Sequence, residues 1–155
     1  MGSENHFMKF DKTFTIKINR NFKKFPDDEP GCAYGKITIG DFWENFYMSH
    51  SVWKIKDYVK QWKLAWKYLE THDTSIFVAN VQSNHLLITW PLYKIEDSIY
   101  IRNNLIIGES YEKLIGNNPY TPETSFLYIL PRKHFFSKFR GKKVPVSEWE
   151  VKIIS

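Results

Sequence analysis

The chain has 155 residues, 43% of them hydrophobic and 17% aromatic, and a net charge of +5 at pH 7. That is the length of one domain that buries about two-thirds of its unfolded surface, and it is too apolar to stay disordered. No apolar run approaches the roughly 20 residues of a membrane span, and the start MGSENHFMKFDKTF has no apolar stretch of signal-peptide type, so a cytoplasmic protein is expected.

The first strand-like alternation is Thr13 to Ile18, followed by FPDDEPG, Phe25 to Gly31, whose prolines, acids and glycine make an acidic loop. Cys32 is the single cysteine, which leaves no partner for an internal disulfide or a thiolate cluster within one chain. Lys36 to Ile39 alternates as a strand, and Gly40 inside the continuation DFWENFYM predicts a bulge that bends it. From Ile55 the period becomes helical. Ile55, Tyr58, Val59, Trp62, Ala65, Trp66 and Leu69 fall in one arc of roughly 120°, predicting an amphipathic helix over about 55–71. Lys56, Lys60, Lys63 and Lys67 fall in a separate arc, so the lysines face away from the tryptophans and read as a solvated face. Asp57 suits the positive end of this helix, whereas Lys54 and Lys56 do not, so its start is weakly capped.

Three strand-like runs follow, SIFVANV, LLITWPLYKI and SIYIRNNLII, separated by hairpin-length breaks at Gln82 to His85 and at Glu96-Asp97. They predict an antiparallel meander with Pro91 at an edge or a bulge. The loop GNNPYTPET, Gly116 to Thr124, leads to the apolar run FLYIL, and VPVSEWEVKII ends the chain as one more strand. The expected fold is α+β: one domain over 1–155 of mainly antiparallel, twisted β-sheets carrying one long helix. Residues 1–34 form an extension with one strand and the acidic loop.

Reactive constellations are missing. The sequence has no phosphate-cradling glycine loop, no nucleophile elbow and no H-E-x-x-H helix, and its five histidines stand at least thirteen residues apart. Asp41 with Glu44, and Glu148 with Glu150, read as strand or turn surfaces rather than acid–base pairs. An enzyme, a metal site or a cofactor is therefore not expected. Charge is uneven along the chain: residues 72–131 carry three Lys/Arg against six Asp/Glu, and 132–155 carry seven against two. The segment Arg132 to Lys143, with Arg132, Lys133, Lys138, Arg140, Lys142, Lys143 and three phenylalanines, reads as a basic aromatic loop. Such a mixture neutralises phosphates and stacks bases, so single-stranded nucleic-acid binding is the alternative function.

Four fragments then stand together: ITIGDFWENFYM, VWKIKDYVKQW, ITWPLYKIEDSIYIRNN and VPVSEWEV. In that order and spacing the chain resembles CdiI, the immunity proteins of bacterial contact-dependent growth inhibition systems, in particular the Enterobacter cloacae group. The most specific matches are Trp53, Ile55, Asp57, Tyr58 and Trp62; Trp90, Leu92 and Tyr93; Ile99 to Ile101 before Asn103-Asn104; and Ser147, Glu148 and Trp149. The resemblance runs from about Gly35 to the C-terminus, and residues 1–34 have no counterpart in it. It implies a Whirly-like sandwich or half-barrel. It also implies a non-enzymatic cytoplasmic protein that binds and neutralises the C-terminal toxin domain, often a nuclease, of a large exported CdiA-type protein, with no membrane or nucleic-acid role.

On that reading the motif aromatics are scaffold and toxin recognition uses other residues. Trp43, Phe46 and Tyr47 are the expected aromatic anchors. An inhibitor of a basic nuclease is expected to be acidic, which the net charge of +5 is not. Three options remain open: a toxin that is not a basic nuclease; a local acidic patch of Asp27, Asp28, Glu29, Asp41, Glu44, Glu96 and Asp97; or an acidic toxin surface met by the lysine stripe or by Arg132 to Lys143.

Overall fold

The computed structural model describes residues 5–19, 33–82, 86–107, 121–123, 136–139, 142–145 and 148–153. FPDDEPG, with Asp27, Asp28 and Glu29, the run FLYIL, and Arg132, Lys133, Arg140 and Ser147 lie outside them.

Four antiparallel strands form the first sheet in chain order: β1 (Asn5–Asp11), β2 (Phe14–Asn19), β3 (Ala33–Ile39) and β4 (Phe42–Met48). Phe14, Ile16 and Ile18 on β2, and Ala33, Ile37 and Ile39 on β3, point inward and are buried, as period-two alternation dictates. The N-terminal region thus contributes two strands where one was expected. β1 escaped the sequence pattern because Phe7 is apolar on the outward side while Met8 and Phe10 pack inward, so no alternation of polarity marks it.

Gly40 does not make a bulge. With Asp41 it is the two-residue turn between β3 and β4, whose ends pair Ile39 with Phe42. Gly40 has φ +60° and Asp41 does not share it, which fits a type II′ turn with glycine at the first central position. The N–H of Gly40 donates to the carbonyl of Thr13 at 2.8 Å, tying this turn to the β1–β2 turn. Gly35 is required by contact rather than by conformation: the Phe46 ring lies over it, and an added Cβ would stand 2.2 Å from Phe46 Cζ.

Helix α1 (Ile55–Tyr68) ends about three residues earlier than expected. Asp57 Oδ2 accepts the N–H of Lys54 at 2.9 Å, one half of a capping box, and the lysine side chain offers no lone pair for the other half. After the helix come β5 (Thr74–Gln82), β6 (Leu86–Ile95), β7 (Ser98–Arg102) and β8 (Asn104–Ile107), and β11 (Glu148–Lys152) completes the sheet. Its order is β11-β7-β6-β5, with β8 also on β6, so the expected meander is present. Pro91, however, lies in the interior strand β6 rather than at an edge or a bulge. It falls between the Thr89–Asn104 pair with β8 and the Leu92–Ile101 pair with β7, where the flanking chain is interrupted at Asn103. Arg102 and Glu148 face each other across β7 and β11 and form an ion pair at 2.7 Å.

The core lies where the first sheet, α1 and β5 meet. Phe10, Phe14, Trp66 and Phe77 form one aromatic cluster with ring centroids 4.9 to 6.5 Å apart. At the other side Phe42 stacks on Trp149 at 4.0 Å, joining the first sheet to β11. The segment expected to be a basic aromatic loop contains instead part of a hairpin, β9 (Phe136–Phe139) with β10 (Lys142–Pro145), since phenylalanines favour strand as readily as they offer faces for stacking.

Candidate functional site

Two surfaces concentrate Trp, Tyr and Lys, and they are built differently. The first is the seam between α1 and β5. Among the described residues β5 ends the second sheet, and no described strand pairs with the other side of its backbone. Helix side chains take that place: Gln61 Nε2 donates to the Ile76 carbonyl at 2.7 Å and Gln61 Oε1 accepts from the N–H of Val78 at 2.9 Å. Trp62 Nε1 donates to the Val78 carbonyl at 2.8 Å. Tyr58 Oη accepts from Val81 N–H at 3.1 Å and donates to the Ser49 carbonyl at 2.7 Å. The Gln61 amide therefore imitates the peptide group of an absent strand and covers an edge that otherwise invites aggregation.

The motif residues of this seam are scaffold, as expected. Trp53, Ile55, Tyr58 and Trp62 are buried, Trp53 meets Tyr58 edge-on at 5.2 Å, and Asp57 caps the helix. Gln61 was missed. Nothing in a helical wheel distinguishes a buried amide at the border of the apolar stripe from a solvated one. Lys56, Lys60, Lys63 and Lys67 are exposed on the opposite face, beside a groove that Val59 and Leu64 also line. This face is not wholly solvated: Lys60 pairs with Glu123, and that hydrogen bond holds the Glu123 carboxyl below its ordinary value.

The second surface is the outward face of the first sheet. Strand register arranges it in three rows across β1, β2, β3 and β4. The rows are Asn5, Asn19, Tyr34 and Tyr47; Phe7, Lys17, Lys36 and Asn45; and Lys9, Thr15, Thr38 and Trp43. These twelve positions hold four aromatics, three lysines and no acid. Phe7 is 65% exposed and Trp43 56% exposed. Lys36 Nζ stands 4.5 Å from the centre of the Trp43 ring, and Tyr34 meets Tyr47 edge-on at 5.4 Å. Between them runs a shallow groove of about 420 Å³ bordered by Lys17, Asn19, Tyr34, Lys36, Asn45 and Tyr47.

Of the expected anchors, Trp43 and Tyr47 are on this face. Phe46 is not: it is 8% exposed and points inward, 6.2 Å from Trp62, because alternation sends neighbouring residues of one strand to opposite sides. The described acids of the expected acidic patch lie on two turns and one strand. Asp41 is exposed on the β3–β4 turn, and Glu96 and Asp97 are exposed on the β6–β7 turn. Glu44 is half-buried on the inward side of β4 and accepts from Asn103 Nδ2 at 3.4 Å. Lys138, Lys142 and Lys143 fall on the β9–β10 hairpin. Tyr34, Lys17 and Lys36 share this face and were not among the expected contact residues, although the alternations holding Lys17 and Lys36 were visible. Placing them beside Trp43 needed the strand order.

Among the described residues no three or more His, Cys, Asp or Glu side chains are grouped to hold a metal ion. None of the described helices is long and apolar enough to cross a membrane. What the outward face offers chemically is recognition, through exposed rings and paired ammonium groups.

The family model of the CdiI N-terminal domain matches residues 48–155. The chain is 27% identical over 144 residues to the immunity protein CdiI of Enterobacter cloacae subsp. cloacae, a similarity that covers 86% of this chain and 92% of that relative. Its fold is similar to a chain of the CdiA-CT/CdiI toxin and immunity complex from Enterobacter cloacae, with a TM-score of 0.64 and 22% identity over 88% of this chain and 89% of that one. The stretch from Gly35 onward is 121 of the 155 residues, so the structural likeness takes in part of the region before it.

Proposed function

The chain belongs to the CdiI family, and from that premise we propose that it is an immunity protein, which binds the C-terminal toxin domain of a large exported CdiA-type protein and holds it inactive. The family match, which spans the helix and the whole second sheet, carries this reading. The protein works by binding and not by turnover, in the cytoplasm of the cell that makes the toxin or of its siblings, and the toxin domain is a nuclease. Inhibitor and toxin must stay together for long periods, which calls for an interface of roughly 1,200 to 2,000 Å² with aromatic anchors at its centre. The scaffold supports that role: the α1–β5 seam fixes the sheets, so an exposed sheet face is presented without a large ordering cost on association.

Co-expression with the toxin domain encoded immediately upstream tests the proposal. Growth is restored and the two chains purify as one complex; a toxin that still kills and does not co-purify sinks it.

A further inference from the structure

Lys17 and Lys36 are direct cross-strand partners on β2 and β3, and both are exposed. Like charges directly opposite each other destabilise a sheet, and neither lysine meets a carboxylate among the described residues. The arrangement disfavours the free protein and suits a partner that brings negative charge between the two ammonium groups. Aromatic side chains flank the pair: exposed Phe7 in the same row, exposed Trp43 with its ring against Lys36, and half-buried Tyr47 in the row beyond.

We infer that the outward face of the first sheet is the toxin-binding surface, and that a carboxylate-bearing, partly apolar surface of the toxin domain seats there, with its acid between Lys17 and Lys36 and Trp43 as the aromatic anchor. The inference rests on the immunity reading and adds to it the face and the chemistry of the partner. It also removes the difficulty of a positively charged inhibitor: the complementary patch on the toxin is acidic and lies apart from any basic nucleic-acid groove.

A single-stranded nucleic acid would also supply negative charge, but the rings are poorly disposed for it. Successive bases need neighbouring open ring faces. Tyr34 and Tyr47 are turned edge-on to each other, and one face of Trp43 is taken by Lys36. Phe7 on β1 and Trp43 on β4 stand three strand spacings apart, roughly 14 Å. No continuous stacking track crosses the face, whereas a folded protein surface needs none.

The test uses the full-length chain and the purified toxin domain encoded upstream, with a fluorescent oligothymidylate as a second probe. Lys17→Glu/Lys36→Glu slows association and weakens toxin binding at least about 100-fold, and the wild-type association rate falls steeply as salt rises. Lys17→Gln/Lys36→Gln weakens binding about 10-fold while its melting temperature stays equal to or above that of the wild type, which a purely structural role would not produce. Lys152→Glu, on the exposed side of β11, leaves toxin binding unchanged. If the wild type binds the toxin and the double glutamate variant binds it within about twofold, the inference is overturned and the immunity reading stands. If the wild type does not bind the toxin, both fall. If instead the oligothymidylate binds tightly and the glutamate variant loses it, the face belongs to nucleic acid and the inference is overturned.

Discussion

The α1–β5 seam and the outward face of the first sheet draw on the same residue types to opposite effect. In the seam, Trp62 is fully buried and its indole N–H is committed to the Val78 carbonyl; on the face, Trp43 is more than half exposed, with the ammonium of Lys36 over its ring. A buried aromatic with a satisfied polar group fixes two elements against each other. An exposed aromatic beside a cation contributes little to folding and keeps its apolar area for a partner. Tryptophan content therefore says nothing about function until the neighbour on each side is known.

Alanine substitutions give the widest separation between the two regions. Trp62→Ala costs about 3–5 kcal/mol of stability in chemical denaturation, since it removes the largest side chain of the seam and leaves the Val78 carbonyl unpaired. Trp43→Ala changes stability by less than about 0.5 kcal/mol but lowers toxin affinity by at least about 1 kcal/mol, read by calorimetry. Similar stability losses for the two would erase the distinction.

Gln61→Leu sharpens the seam side of the comparison. It preserves volume and adds hydrophobicity, yet it strips partners from Val78 N–H and the Ile76 carbonyl, at about 1–3 kcal/mol for each group left unpaired. A variant as stable as the wild type would mean that the amide is not standing in for a strand. Gly35→Ala tests the inward side of the first sheet. The new Cβ meets the Phe46 ring and costs about 1–3 kcal/mol by overpacking, which a thermal melt detects.

The smallest effect belongs to the helix's exposed lysine face. Lys60 holds the Glu123 carboxyl below its ordinary value, so the pair's contribution is fully present above the unfolded carboxylate value and is lost as pH falls through the lower, folded one. A carboxyl titration followed by NMR gives Glu123 a depressed midpoint that Lys60→Met raises. The stability curves of the two proteins differ slightly at neutral pH and converge in acid.

Much of the fold was legible because it rests on periodicity. The 3.6-residue spacing from Ile55 to Leu69 fixed the helix and its buried stripe, and alternation in β2, β3 and the meander marked those strands. The scaffold role of the ordered motif residues was equally legible. β1 was not, because apolar residues on both of its faces hide the alternation, and Gly40 was misread because a glycine with positive φ serves a bulge or a hairpin equally well.

The site was legible only in part. Trp43 and Tyr47 were anticipated as anchors, whereas Phe46 between them was assigned to the surface, an error that strand alternation corrects once the strand is known to be continuous through it. Local sequence determined which residues alternate and which side of the helix is apolar, since each depends on neighbours within one element, and the order of four fragments along the chain carried the family resemblance. Tertiary structure alone decided that Lys17 opposes Lys36, that Tyr34 meets Tyr47 and that Gln61 completes an edge strand. Those contacts depend on strand order and on which edge lacks a neighbour, and both are set by packing between elements far apart in the chain.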